Sequence, residues 1–156
     1  MDVRPLREAD RDRARAWLRA HWQETMAGHG ELFYPAEHEG SVAGDWEGLL
    51  TYRLAGGRCE VTLIKSLREC HGTGSALLAA VIEVASRDAC TDVWLVTTND
   101  NLGAQAWYER RGFRVVEVRE GAVDRSRETL KPEIPTHNPD NELPISDEIE
   151  LAKALA

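Results

Sequence analysis

Between Leu49 and Val96 the hydrophobic spacing changes period repeatedly, and that succession leaves few folds open. Leu49 to Leu54 and Arg58 to Leu67 read as strands, separated by Ala55-Gly56-Gly57, where glycine supplies the positive φ of a tight hairpin turn. The two should pair antiparallel. Gly72 to Arg87 then carries Leu77, Leu78, Val81, Ile82, Val84 and Ala85 as a broad apolar stripe, which predicts a long amphipathic helix. Val93-Trp94-Leu95-Val96 is a near-continuous apolar run, as expected of a strand covered on both faces. A hairpin followed by a helix and a further strand predicts an α/β chain with a mixed sheet.

The flanks extend this pattern. Val3-Arg4-Pro5-Leu6 is a short strand, and Glu8 to Trp22 places Ala14, Trp17, Leu18 and His21 at helical spacing. Thr25 to Ala43 is irregular, rich in Gly, His and aromatics, and is expected to hold a second short helix and a strand. Beyond the central unit, a short helix from about Asn101 to Arg111 should close with Gly112 in the left-handed region and Phe113 as its hydrophobic follower. Phe113 to Arg119 alternates as a strand, Gly121 to Lys131 reads as a further helix, and Pro132 to Pro144 as a loop. In the final element, 145–154, Ile145, Ile149 and Leu151 give a partial period of two, while Ile145, Ile149 and Ala152 fit a helix starting at Ser146. Either way Ile149 and Leu151 should be buried.

At 156 residues the chain suits one domain, 1–156, which at this size buries roughly 68–70% of its unfolded surface. A net charge of −8 disfavours nucleic acid as the main partner, because phosphate binding needs a basic footprint, and suits a cationic small molecule or peptide better. With no apolar run of about 18 residues and no apolar leader after Met1, no membrane partner is expected and the cytoplasm is the default location. Cys59, Cys70 and Cys90 are an odd number without C-x-x-C spacing, so neither a disulfide framework nor a zinc site is expected. No metal is inferred, as no His, Asp or Glu pair shows ligand spacing with supporting context.

Two stretches carry chemistry. In the first, the strand 58–67 runs through Arg68-Glu69-Cys70-His71 into Gly72-Thr73-Gly74-Ser75, which opens the long helix. Glycines there let backbone N–H groups approach a pyrophosphate, and the helix N-terminus adds positive partial charge. A tight strand-to-helix turn is the plainer alternative. There is no Gly-Lys-Ser/Thr for a P-loop, and Leu77 occupies the third small position of a dinucleotide fingerprint. In the second stretch, Ala104, Trp107 and Tyr108 share one helical face, and the small Ala104 leaves room for something slender beside two aromatics. Asn101 either lines that space or caps the helix, and Tyr108 is either a functional phenol or a core tyrosine with a satisfied hydroxyl.

Taken together, these residues resemble the GNAT acyltransferase family. Its N-terminus often reads like Val3-Arg4-Pro5-Leu6-Arg7-Glu8-Ala9-Asp10; its acyl-CoA signature, (Arg/Gln)-x-x-Gly-x-(Gly/Ala), is met by Glu69-x-x-Gly72-x-Gly74; and its later motif is met from Asn101 to Phe113. The departures are Glu69, where the family usually has Arg or Gln, and Cys70, where it often has Gly. The acid at 69 and the tail from Lys131 to Leu151 resemble an uncharacterised subgroup.

The resemblance implies a GNAT-type mixed, splayed β-sheet flanked by helices, with a seventh strand in 145–154 pairing with Phe113–Arg119. It implies acetyl-CoA as cosubstrate, with Ile64 and its neighbours holding pantetheine and Cys70, His71, Gly72, Thr73, Gly74 and Ser75 holding pyrophosphate. Asn101, Ala104 and Trp107 would line the cosubstrate's space, and Tyr108 would protonate the departing thiolate. The expected reaction is N-acetyl transfer to a small-molecule or peptide amine by direct attack. Only roughly one lysine-like amine in 2,500 is neutral at pH 7, so a base is expected, and Glu60 shares the face of Thr62 and Ile64. The alternative is a GNAT-fold module that binds acyl-CoA without transferring it. Acceptor identity would rest on residues 22–40 and on the tail, where Asp140, Glu142 and Asp147 favour a cation; a homodimer is compatible with the family.

Overall fold

The computed structural model describes all residues from Met1 to Ala156. It contains a seven-stranded, mostly antiparallel sheet and four α-helices. Met1–Thr25, Tyr34–Val93 and Leu155–Ala156 form one compact unit, and Met26–Phe33 with Trp94–Ala154 a second.

In the first unit, β1 (Val3–Pro5), β4 (Glu39–Ala43), β5 (Gly48–Ala55) and β6 (Arg58–Ser66) lie in that order, every neighbouring pair antiparallel. Gly56 and Gly57, at φ 60° and 73°, form the two-residue turn of the β5–β6 hairpin, a conformation that matches strand twist and that side chains with a Cβ resist. The ladder slips between Thr51 and Tyr52, leaving Thr62 of β6 as the extra residue of a bulge. Helix α2 (Thr73–Arg87) packs Leu77, Leu78, Val81 and Ala85 onto β4, β5 and β6. Helix α1 (Arg11–His21) buries Ala14, Trp17 and Leu18, and the Trp17 indole donates to the Trp46 carbonyl at 3.0 Å.

The expected helix over Glu8–Trp22 is shorter than its apolar spacing predicts. Glu8–Asp10 is a single 3-10 turn, because the Asp10 carboxylate accepts the Arg7 N–H at 2.8 Å and pairs with Arg4 at 2.8 Å, holding the chain in a bend before α1. These contacts, led by the hydrogen bond from Arg4, hold the Asp10 carboxyl far below its usual range.

Two positions of this unit admit only glycine. A Cβ on Gly40 would lie 2.4 Å from the Leu50 carbonyl oxygen, and one on Gly48 would lie 2.6 Å from the Thr73 methyl. Gly40→Ala meets backbone that cannot move without breaking the β4–β5 ladder. It should lower stability by about 3 kcal/mol, the upper end of overpacking costs, read as a fall in the urea midpoint at unchanged slope.

In the second unit the strand order is β7 (Asp92–Thr98, whose first two residues belong to the first unit), β9 (Glu148–Ala154) and β8 (Arg114–Arg119). The final element is therefore a strand, paired antiparallel to β8, with Ile149 and Leu151 buried. Helices α3 (Leu102–Glu109) and α4 (Ala122–Thr129) complete the unit, and 132–144 is irregular, with one bridge between His137 and Pro144. Gly112, at φ 91°, ends the α3 segment as its sequence predicts, and Phe113 is buried behind it. In β7, Val93 and Leu95 are fully buried but Trp94 and Val96 only half so, short of the two covered faces expected.

The segment 25–43 departs from expectation. An unexpected hairpin, β2 (Met26–Gly28) with β3 (Glu31–Phe33), comes first; the expected short helix is a single 3-10 turn at Pro35–Glu37, and the expected strand is β4. His29 and Gly30 both take positive φ, 52° and 75°, which makes the two-residue turn and rules out helix.

Candidate active site

In the first unit, β6 and the N-terminus of α2 present the residues expected to hold acyl-CoA. Ile64 sits on β6 opposite Leu50 and is half-buried. The loop beyond it turns through Cys70 and Gly72, both left-handed at φ 62° and 78°, so the chain folds back into α2 within a few residues. A Cβ on Gly72 would meet nothing within 4 Å, so the space beside it is open. The first helical bond runs from the Ala76 N–H to the Gly72 carbonyl, which leaves the Thr73 and Gly74 amides ahead of the helical ladder. Thr73 is 1% exposed, pinned where Gly48 makes room for its methyl, and its buried hydroxyl has no hydrogen-bond partner. Cys70, His71 and Ser75 are exposed, and Gly74 is half-buried. The His71 ring contacts the Glu69 carbonyl at 2.7 Å; a carbonyl only accepts, so Nδ1 carries the proton. The Glu69 side chain is exposed.

Glu60 also lies on β6 but does not share the face of Ile64 as expected: the bulge at Thr62 shifts the alternation, so Glu60 lies across from Arg53, to which its carboxylate bridges at 2.9 Å, and Ile64 lies on the other face. One arrangement in this unit escaped the sequence reading. The His38 Nδ1 lies 2.8 Å from the Thr62 hydroxyl, itself 2.7 Å from the hydroxyl of Thr51, and both threonines are buried. The bulge places Thr62 there, and no periodicity reveals a bulge.

In the second unit, α3 carries the other candidates. Asn101 accepts the Ala104 N–H at 3.2 Å and is therefore the helix cap, which commits the side chain to the helix end. Trp107 is covered by the Arg111 guanidinium 3.7 Å from its ring centre and stands edge-on to Tyr108 at 5.0 Å. Tyr108 is 6% exposed, its ring also edge-on to Phe113 at 5.4 Å, and burial pushes its phenol well above the ordinary tyrosine value. Lys153 of β9 donates to the Arg111 carbonyl at 2.8 Å and secures the far end of this segment.

The chain matches the sequence pattern of the Acetyltransferase (GNAT) family over residues 3–113. It belongs to that family. Two Bacillus subtilis (strain 168) proteins described as uncharacterized are similar to it: YdhI, 38% identical over 86% of both chains, and YxbD, 32% identical over 99% of both. Among solved structures, a GNAT family acetyltransferase from Elizabethkingia anophelis with acetyl-CoA bound superposes with a TM-score of 0.66 at 18% identity, over 99% of this chain and 97% of the other. The Escherichia coli ribosomal-protein-S18-alanine N-acetyltransferase gives 0.68 at 15% identity, over 99% and 94%. The mixed α/β architecture is thus that of GNAT acetyltransferases.

The family's pattern ends at Phe113, and most of what the motifs missed lies beyond it. Arg119 of β8 forms ion pairs with Glu148 and Glu150 of β9, 3.0 and 2.9 Å away, both carboxylates buried. Glu148 also accepts the His29 N–H at 3.1 Å, which ties the β2–β3 turn to β9, and the His29 ring packs edge-on to Trp94. Asn99, after β7, accepts from the Ser146 and Asp147 amides at 3.0 Å and so sets where β9 begins. Only the alternation of Glu148 and Glu150 with Ile149 and Leu151 hints at two acids turned into the structure together.

Proposed function

We propose that the chain is a cytoplasmic N-acetyltransferase, a single domain that moves an acetyl group from acetyl-CoA to an amine by direct attack on the thioester. The observation that carries this reading is Tyr108, a phenol on the motif-bearing helix whose ring is buried between Trp107 and Phe113. Burial favours its protonated form, as a general acid requires. In the reaction the amine nitrogen bonds to the thioester carbonyl carbon, the carbon–sulfur bond breaks, and the departing thiolate takes the Tyr108 proton. The loop 70–75 receives the pyrophosphate on the Thr73 and Gly74 amides, with the dipole of α2 behind them. Ile64 of β6 pairs with pantetheine, and a backbone N–H there polarises the carbonyl. Ala104 and Trp107 line the cosubstrate's space, and Asn101 contributes by fixing the end of α3. The amine's proton leaves through a water chain or to Glu60, which is paired with Arg53 on the face of β6 opposite Ile64.

The direct test is an amine panel with acetyl-CoA, read by thiol release and by the mass of one added acetyl group on the amine. Thiol release without acetylated amine, or neither, removes the transferase reading. Acetyl-CoA should also raise the melting temperature. At 100 times its Kd the stabilisation is about 2.7 kcal/mol. Gly74→Glu should abolish that shift by setting a side chain and a negative charge where the phosphates bind. No shift at millimolar acetyl-CoA would remove the cosubstrate assignment.

A further inference from the structure

Helix α2 covers one face of β4, β5 and β6, and the alternation of side chains tells which residues meet it. A Cβ on Gly48 would strike Thr73 and Leu77 of α2, so Gly48 faces the helix, and with it Leu50 and, across the ladder, Ser66 and Ile64. Leu49 and Thr51 point the other way, together with Lys65 and, through the bulge, Thr62. On that side the Lys65 Nζ lies 5.1 Å from the ring of Trp22, the residue after α1. An amine bound for the β6 backbone beside Ile64 approaches from this face, because α2 occupies the other.

His38 stands on the same face and is held in three ways. Its N–H donates to the Pro35 carbonyl at 3.0 Å, and its carbonyl accepts from Arg11 of α1, which also donates to the Ala36 carbonyl at 3.0 Å. The ring is fixed by Nδ1, 2.8 Å from the Thr62 hydroxyl, which lies 2.7 Å from that of Thr51. A threonine hydroxyl donates once and accepts twice, so Nδ1–H donates to Thr62, Thr62 donates to Thr51, and the basic lone pair of the ring sits on Nε2. The same arrangement suits the imidazolium, whose Nδ1 must donate. Both threonines are buried while His38 is only half-buried, which anchors the ring from inside the sheet. Two residues of strand, about 7 Å, separate Thr62 from Ile64. A carbonyl held at Ile64, an attacking amine and one hydrogen bond span a similar length. Glu60 lies four positions from Ile64 on the strand, and its carboxylate is bridged to Arg53.

We propose that His38 accepts the proton that the acceptor amine sheds, with Thr62 as the residue that positions its ring. As the amine nitrogen bonds to the thioester carbon, its proton passes to His38 Nε2 through one water; the carbon–sulfur bond breaks and the thiolate takes the Tyr108 proton. Solvent then removes the proton gained by His38 and restores the one lost by Tyr108. The proposal rests on the acetyl-transfer reading above.

The test measures kcat and KM with acetyl-CoA and an amine panel that includes lysine, spermidine and phenylethylamine. His38→Asn keeps a donor toward Thr62 but takes no proton, and it should lower kcat about 10²-fold with the KM for acetyl-CoA little changed. His38→Ala should fall as far, and added imidazole should raise its rate at least about 10-fold while leaving the unsubstituted protein unaffected. Thr62→Val should lower kcat about 10-fold, the worth of one hydrogen bond, and Thr62→Ser should retain it. Full activity in His38→Asn overturns the assignment. So does an inactive His38→Ala that keeps its acetyl-CoA melting shift yet gains nothing from imidazole; if His38→Ala loses that shift, His38→Asn decides. Either result leaves acetyl transfer itself in place. If the unsubstituted protein acetylates no amine, the acetyl-transfer reading falls and the role of His38 with it.

Discussion

Tyr108→Phe should lower kcat by roughly 10²-fold while acetyl-CoA affinity barely changes. The low end of general-acid effects applies because a thiolate is already a tolerable leaving group. The substitution removes one oxygen and keeps the ring, so the edge-on contacts with Trp107 and Phe113 survive and the fold is not the variable. The pH profile carries a second signature. Burial raises the Tyr108 phenol above its ordinary value, so the acid stays protonated through neutral and mildly alkaline pH, and the alkaline limb of kcat should not fall there. Single-turnover rates and acetyl-CoA titrations on both proteins make the measurement. Unaffected turnover with collapsed binding would make Tyr108 a packing residue and remove the acid assignment.

Truncation after Lys131 should yield insoluble protein. The cut removes β9, and with it the buried Ile149 and Leu151, each contributing about 1.5–3 kcal/mol of burial. It also strips β8 of its paired strand, leaving an open edge that already exposes Val115, Val116 and Val118. Arg119 loses Glu148 and Glu150 together, so a mostly buried guanidinium is left without those partners, a larger penalty than the lost ion pairs alone. In the intact chain, limited proteolysis should spare everything beyond Pro144, since Asn99 and β8 hold that backbone. A soluble and active 1–131 fragment would show that the tail is an appendage to the fold.

Local rules located much of the fold. The Gly56-Gly57 turn, the left-handed Gly112, the apolar stripe of α2 and the cap before α3 are decided by φ preferences and periodicity within a few residues, so one stretch of sequence suffices to find each. The same rules failed over 25–43. There, His29 in a left-handed turn is held by Glu148, 119 positions away in the chain, and no local pattern encodes such a partner. Alternation alone sets Glu60 on the face of Ile64, whereas the bulge at Thr62 leaves Glu60 across from Arg53 and Ile64 across from Leu50, on opposite faces.

The sequence by itself determined most of the element types, the family and the residues of its two motifs, because these depend on spacing along the chain. Tertiary structure alone decided the bulge that brings Thr62 to His38 and Thr51. It also decided which charges are paired with which. A net charge of −8 pointed toward a cation, but charge totals ignore pairing. Arg119 alone is paired with Glu117, Glu148 and Glu150. Which charges remain available depends on which are already paired, and pairing between distant residues is set only when the chain has folded.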